Sequence, residues 1–226
     1  YQIMYNPTLI MKKLLITISA ITASLINAVH AGSGSVSLGY GTDTFNQGSI
    51  LADESFSASV SYGTEVGGLD VEGSASTIDE LSNGQSLYVF SGGVSKQLGE
   101  LLDVYVGLQH EEIVDGASQL DAVIRVGMNY HLSPYFLILR DTSDDNYVFE
   151  GGLSYSFDLQ FASLTLAGSL GNSDRYGIED NDYHTFGASV SKSLSDSVEA
   201  SVGYTHVDSD SIDSEDLLSA GLTFSF

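Results

Sequence analysis

Three short phrases set a carboxyl group at the same place behind a tight turn. They are LDVE (69–72) with Asp70 and Glu72, LDVY (102–105) with Asp103, and VEAS (198–201) with Glu199. Carboxylates held at one height around enclosed water form a ring that draws cations and repels anions. Asp121, Arg125, Arg140 and Glu150 stand further from those turns. Arg125, Arg140 and Glu150 suit a transverse Arg–Glu constriction, or a set of ion pairs that brace a wall. His184 and His206 lie beside acidic stretches. Set face to face, two imidazoles can hold a transition metal. More commonly such residues belong to an amphipathic belt at an interface.

Composition narrows the chemistry. The chain has 226 residues, 7 Lys+Arg against 30 Asp+Glu, and a net charge of −23. Phosphate affinity rests on clustered cations, so a nucleic-acid partner is excluded. The absence of Cys excludes a disulfide scaffold, a Cys-ligated zinc site and a thiol nucleophile. A hydrophobic content of 42%, with 13 Tyr and 10 Phe, argues against a disordered polyanion. No Gly-x-Ser-x-Gly elbow occurs after residue 31, and Ser is too abundant for a Ser near a His to mark a nucleophile. The chain therefore reads as a non-enzyme.

Residues 11–31 (MKKLLITISAITASLINAVHA) have a secretory signal's charged start, short apolar stretch and small residue before the cut, with cleavage expected near Ala31. Residues 1–10 read as upstream translation or a misassigned start. The remaining domain, 32–226, keeps 5 basic and all 30 acidic residues, a net charge of −25.

From there on, apolar and polar residues alternate. Leu102, Val104, Val106 and Leu108 share one face; Ala122, Ile124, Val126 and Met128 share another. A period of two with one apolar face predicts strands. Twelve are predicted, at 35–43, 55–65, 68–78, 86–98, 101–113, 120–132, 135–142, 146–158, 161–172, 182–194, 197–208 and 216–226. Tight turns alternate with longer acidic loops, at 44–54, 79–85, 114–119, 143–145, 173–181 and 209–215. The phrases GGVSKQLGELLDVYVGL (92–108), GASVSKSLSDSVEASVGY (187–204) and GGLSYSFDLQFASLTLAGS (151–169) repeat one hairpin design. Across the turn at 195–196, a residue sum of 390 would set His184 opposite His206.

The polar face is mostly Ser, Gly and Thr rather than the Lys and Glu that coat soluble sheets. An even number of ten-residue alternating segments, short turns at one end and long loops at the other predict a single antiparallel transmembrane β-barrel. Twelve strands give a backbone radius of about 12 Å, and the small inward residues leave it hydrated unless a long loop folds in. Tyr40, Phe56, Tyr62, Tyr130, Tyr147, Tyr155, Phe157, Tyr204 and Phe224 sit where aromatic girdles belong.

The C-terminal GLTFSF, with Leu222, Phe224 and Phe226, resembles the signature that bacterial outer-membrane barrels present to their assembly machinery. HLSPYFLILRD (131–141) and EGGLSYSFDL (150–159) are similar to small porin-like barrels of Gram-negative bacteria, the TorF-type proteins. That resemblance implies an outer-membrane location, with lipid, lipopolysaccharide and the assembly machinery as partners, and carries no catalytic residues.

The expected function is passive passage of small polar solutes and ions, with cations preferred. The pore-lining set is Asp70, Glu72, Asp103, Asp121, Arg125, Arg140, Glu150 and Glu199. Two alternatives are a structural or adhesive barrel using its acidic loops, and a lipid-acting hydrolase. No cofactor is expected. Divalent cations could bridge the loop carboxylates, as in the DSDSIDSED run (208–216), to one another or to lipopolysaccharide phosphates.

Overall fold

A computed structural model describes residues 32–80, 85–114, 118–175 and 178–226. The expected signal and the ten residues before it lie outside the described residues. Twelve antiparallel strands form among the described residues: β1 (Ser33–Asn46), β2 (Ser49–Val66), β3 (Leu69–Glu80), β4 (Ser86–Leu98), β5 (Leu102–Ile113), β6 (Ser118–Met128), β7 (Tyr135–Asp141), β8 (Tyr147–Leu159), β9 (Ala162–Ser173), β10 (Asn181–Ser195), β11 (Val198–Ser209) and β12 (Ile212–Ser225). Each pairs with its sequence neighbours, and β1 closes on β12 to make a barrel. Closure satisfies the backbone groups that an open edge would leave unpaired.

The pairing fixes which side chains face out. Val36 opposite Val60 and Phe224, Leu38 opposite Ala58 and Leu222, and Val202 opposite Val190 and Ala220 all lie on the outer face. Val106, Leu108, Ile124, Phe136, Leu153, Leu170, Phe186 and Val202 are exposed there, so an apolar belt surrounds the barrel. An apolar surface this continuous needs a non-aqueous neighbour. On β8 the rings of Tyr147 and Phe149 meet at the loop end, and those of Tyr155 and Phe157 at the turn end. Tyr147 and Phe157 are about 33 Å apart along the strand at 3.3 Å per residue. At a tilt of about 40° that is about 25 Å along the axis, the height of a membrane-facing band.

The seam between the first and last strands is stitched at its end by Gly34 and Phe226, each donating its N–H to the other's carbonyl at 3.0 Å. The half-exposed Phe226 ring lies over Gly34, where a Cβ would collide with it. Phe226→Ser keeps both backbone bonds and removes the ring. Its expected effect is loss of most of the heat-modifiable folded band in native membranes, and an unchanged folded band would remove the ring from the assembly step.

Several boundaries depart from the sequence reading. The expected long loops at 44–54 and 209–215 are two-residue turns, Gln47-Gly48 and Asp210-Ser211, because β1, β2, β11 and β12 continue past the point where apolar alternation stops. Above a bilayer both faces of a strand meet water, so the ladder persists while the pattern that signals it disappears. Gln47 and Gly48 have φ of 49° and 94°, which matches the twist of paired strands in a two-residue hairpin. At the other end, β6 stops at Met128 rather than 132. Residues 129–134 form a turn in which Met128 donates to the Pro134 carbonyl.

The interior divides along its axis. On the turn side the wall is Ser and Gly. Toward the loops, Val123, Leu139 and Val148 make a small buried cluster with Tyr105 and Leu137 against one wall.

Candidate functional site

A cavity of about 910 Å³ occupies the turn-side half of the lumen. Its wall includes Ser35, Ser61, Ser74 and Ser91, whose hydroxyls pair across strands at 2.8 Å (Ser35–Ser61) and 2.7 Å (Ser74–Ser91). Hydroxyls that satisfy one another keep the wall polar, and small side chains keep it wide. Glu72, Asp103, Gln109, Arg125 and Glu150 project into this space. Asp70, Asp103 and Glu199 are each the second residue of their strands, β3, β5 and β11, so they share one level. Asp70 and Glu199 are inward in register but stand at the rim, outside the cavity lining. Directly opposite Asp70 is Glu65, a rim carboxyl group that sequence reading missed, although its place at the end of β2 shares the inward phase of the serines before it.

The expected Arg–Glu constriction takes a different form. Glu150 accepts from the Tyr135 hydroxyl at 2.5 Å and from the Tyr183 hydroxyl at 2.7 Å. Glycine makes the second bond possible. Gly171 on β9 lies directly between Glu150 on β8 and Tyr183 on β10, and the tyrosine crosses over it. A Cβ at Gly171 would collide with the Tyr183 ring. Arg125 stacks over Tyr135, 5.3 Å from the ring centroid, so the tyrosine stands between the guanidinium and Glu150.

Arg140 is not in the lumen. It pairs with Ala122, whose face is outward, and its guanidinium meets Asp145 at 3.2 Å in open solvent. The sequence YFLILRD of β7 is apolar on both faces, so alternation left its phase open. The register Asp121↔Asp141 decides it. Moving Arg140 outside raises the lumenal acid surplus.

Asp121 is inward, as expected, yet it lines no open water. It is fully buried beneath Arg175, a residue that no periodic pattern places. Arg175 follows β9 and is 1% exposed. Its guanidinium bonds the Asp121 carboxyl group, Glu111 at 3.2 Å and the Gln47 side-chain carbonyl. In the closed strand order, β6 lies three strands from β9 on one side, and β1 lies three strands from β10 on the other. The Arg175 contacts therefore span the lumen. The β1–β2 turn closes in to meet them: the Gly48 carbonyl accepts from Asn181 Nδ2 at 2.9 Å and from the Ser209 and Ser211 hydroxyls at 3.0 Å each. The loop-side mouth is thus bridged while the turn side stays open. Glu111, near the end of β5, is a buried inward residue of this bridge.

The histidines stand on the outer wall, but not opposite each other. The register sum is 392, which sets His184 against Asp208 and His206 against Phe186. His184 Nε2 lies 3.8 Å from Asp208. His206 Nδ1 is 2.8 Å from Asp216, which also accepts from Tyr204 at 2.7 Å. Each imidazole has a carboxyl partner, and among the described residues neither is bonded to a Ser or Thr hydroxyl. No group of three metal-ligating side chains forms among the described residues.

No protein-family model matches the chain, and no curated protein matches it. Solved structures do resemble it in fold. The KdgM porin aligns with a TM-score of 0.57 at 11% identity, covering 86% of this chain and 99% of that one. The NanC porin gives 0.55 at 10% identity over 84% and 98%, and LpxR from Salmonella typhimurium gives 0.52 at 9% identity over 85% and 99%. The chain is similar to these proteins in architecture: a closed twelve-strand antiparallel barrel of the kind built by outer-membrane porins.

Proposed function

We propose that the protein is a porin-like channel of a Gram-negative outer membrane. In this reading the short turns are periplasmic, the loops face outward, and small polar solutes and cations pass through. The observation that carries this reading is the open half-lumen of about 910 Å³ whose wall includes Ser, Gly and carboxyl groups. A barrel that served only as a scaffold would fill that volume with large side chains. The fold shared with the KdgM and NanC porins supports the same reading. KdgM has been solved with oligogalacturonate, a polyanion. The rim acids here favour the opposite charge.

The bridge at the loop side requires that conduction begin with the parting of the Arg175 contacts. The test is single-channel recording of the refolded barrel in a planar bilayer in KCl. Discrete current steps are expected, smaller than those of an unobstructed twelve-strand lumen. A folded barrel that passes no current at any voltage would overturn the channel reading. A structural or adhesive barrel is the second reading, and the bridged loop-side mouth is the feature that favours it.

A further inference from the structure

We propose that the lumenal wall around Gly127 binds a small zwitterion, an α-amino acid, with Asp103 taking its ammonium group and Arg125 its carboxylate. The proposal rests on the channel reading for the solute's passage, and on the geometry of β5, β6 and β7 for the site itself.

Gly127 is inward on β6 and pairs with Asp103 on one side and Tyr135 on the other. Arg125 is the neighbouring inward residue of β6, directly opposite Tyr105. Both tyrosines fold away from this point. Tyr105 lies across Gly107 and over Gly93 of β4, while Tyr135 lies over Gly152 of β8. A Cβ at any of these three glycines would collide with the tyrosine beside it. A Cβ at Gly127 would meet nothing within 4 Å. The wall is therefore recessed where a carboxyl group and a guanidinium flank it.

Those two heads do not meet. Asp103 and Arg125 are diagonal neighbours across the β5–β6 ladder, about 7–8 Å apart at the backbone and within reach of an arginine. The guanidinium instead stacks on Tyr135, and among the described residues it makes neither an ion pair nor a hydrogen bond. The Asp103 carboxyl group likewise makes neither among them. Tyr135 is itself fixed, by Gly152 beneath its ring and by its bond to Glu150 at 2.5 Å. The arginine head is thereby held in place with its N–H donors unused, so a ligand meets a group that is already ordered.

Charge selects the ligand. A lone anion at Arg125 would face Glu72, Asp103 and Glu150 of the same cavity, and a lone cation at Asp103 would face Arg125. A molecule carrying both charges answers both heads and adds no net charge to the lumen. One carbon between ammonium and carboxylate holds nitrogen and oxygen about 3 Å apart. A charge-assisted hydrogen bond at each end extends the span to about 8–9 Å, the scale of the diagonal. The ligand's side chain is left to project into the cavity of about 910 Å³, so recognition rests on the two charged groups.

The test titrates L-alanine into the refolded barrel in detergent micelles and follows backbone amide resonances. Saturable shifts are expected at Asp103, Arg125 and Gly127. L-alaninamide lacks the carboxylate and N-acetyl-L-alanine lacks the ammonium, and each should bind about tenfold more weakly. D103N and R125Q should weaken L-alanine by a similar factor. G127V keeps every charge, fills the recess and should abolish the saturable shifts. If G127V does not fold, G127A should still weaken binding. No saturable shift with L-alanine, or equal binding of either analogue, would overturn the proposal, and current steps from the same barrel would leave the channel reading standing. In bilayer recording, L-alanine should reduce the wild-type KCl current over the range in which the amides shift. Saturable amide shifts in a barrel that never conducts would support the site while overturning the channel reading.

Discussion

Replacing the rim carboxylates together, as E65Q/D70N/E72Q/D103N/E199Q, should bring a cation-preferring lumen close to indifference between K⁺ and Cl⁻. The wild type is expected to pass K⁺ several-fold more readily than Cl⁻ at low salt, because a narrow space with low-dielectric walls concentrates the field of fixed charges. These five inward groups stand at the turn-side end of the lumen, where Arg125 is the one basic side chain of the cavity lining among the described residues. Lys96 and Lys192 pair with Val104 and Ala200 on the outer face and contribute no lumenal charge. With a backbone radius of about 12 Å, every point in the plane of the ring lies within about one Debye length of a ring carboxylate at 0.1 M salt. At 1 M that length falls to about 3 Å, so the wild-type preference should shrink as salt rises. Folding should be unaffected. Glu65, Asp70, Glu72 and Glu199 are exposed to lumenal water, and Glu65 directly faces Asp70, a like-charge pair whose removal relieves repulsion. Reversal potentials under a KCl gradient give the answer. An anion-selective wild type, or a neutralised variant with undiminished selectivity, would place the ring outside the conduction path.

Glu150→Ala should cost about 2–4 kcal/mol of stability, the larger effect expected from any single lumenal carboxyl group apart from the Arg175 bridge. Two hydroxyls donate to it, and buried donors left without acceptors cost about 1–3 kcal/mol each. Tyr183 carries most of that loss because it is buried, whereas water in the cavity can reach Tyr135. Glu150→Gln keeps one amide oxygen as acceptor and should lose about half as much. A second variant tests the geometry without touching any polar group. Gly171→Ala puts a methyl where the Tyr183 ring crosses β9, so it should approach the loss seen for Glu150→Ala. Urea unfolding followed by heat-modifiable mobility measures all three. If Glu150→Ala were as stable as wild type, the two tyrosine bonds would contribute nothing net to the barrel.

Strand number and the division into apolar and polar faces follow from local alternation, because a side chain's face is set by the parity of its position once the strand exists. For the same reason, the inward placement of Asp70, Asp103, Glu150 and Glu199 was legible one strand at a time. The level shared by the first, second and fourth of these could be read from their equal distance to a turn. Parity failed where a strand is apolar on both sides, and the register of β7 against β6 alone sent Arg140 outward. It failed also where strands leave the bilayer, since β1, β2, β11 and β12 extend through polar stretches that carry no alternation. The two-residue error that had paired His184 with His206 came from the β10–β11 turn, which falls at 196–197 rather than 195–196, with a bulge at Ser193/Ser195 changing the count by one. What only the tertiary structure decided is the chemistry of the lumen's far end. Tyr183 reaches Glu150 because an intervening strand offers a glycine, and Arg175 reaches Asp121 and Glu111 across the barrel from outside any strand. Such contacts join residues 33 to 64 positions apart, and a bond across enclosed space depends on closure, which no local pattern of side chains records.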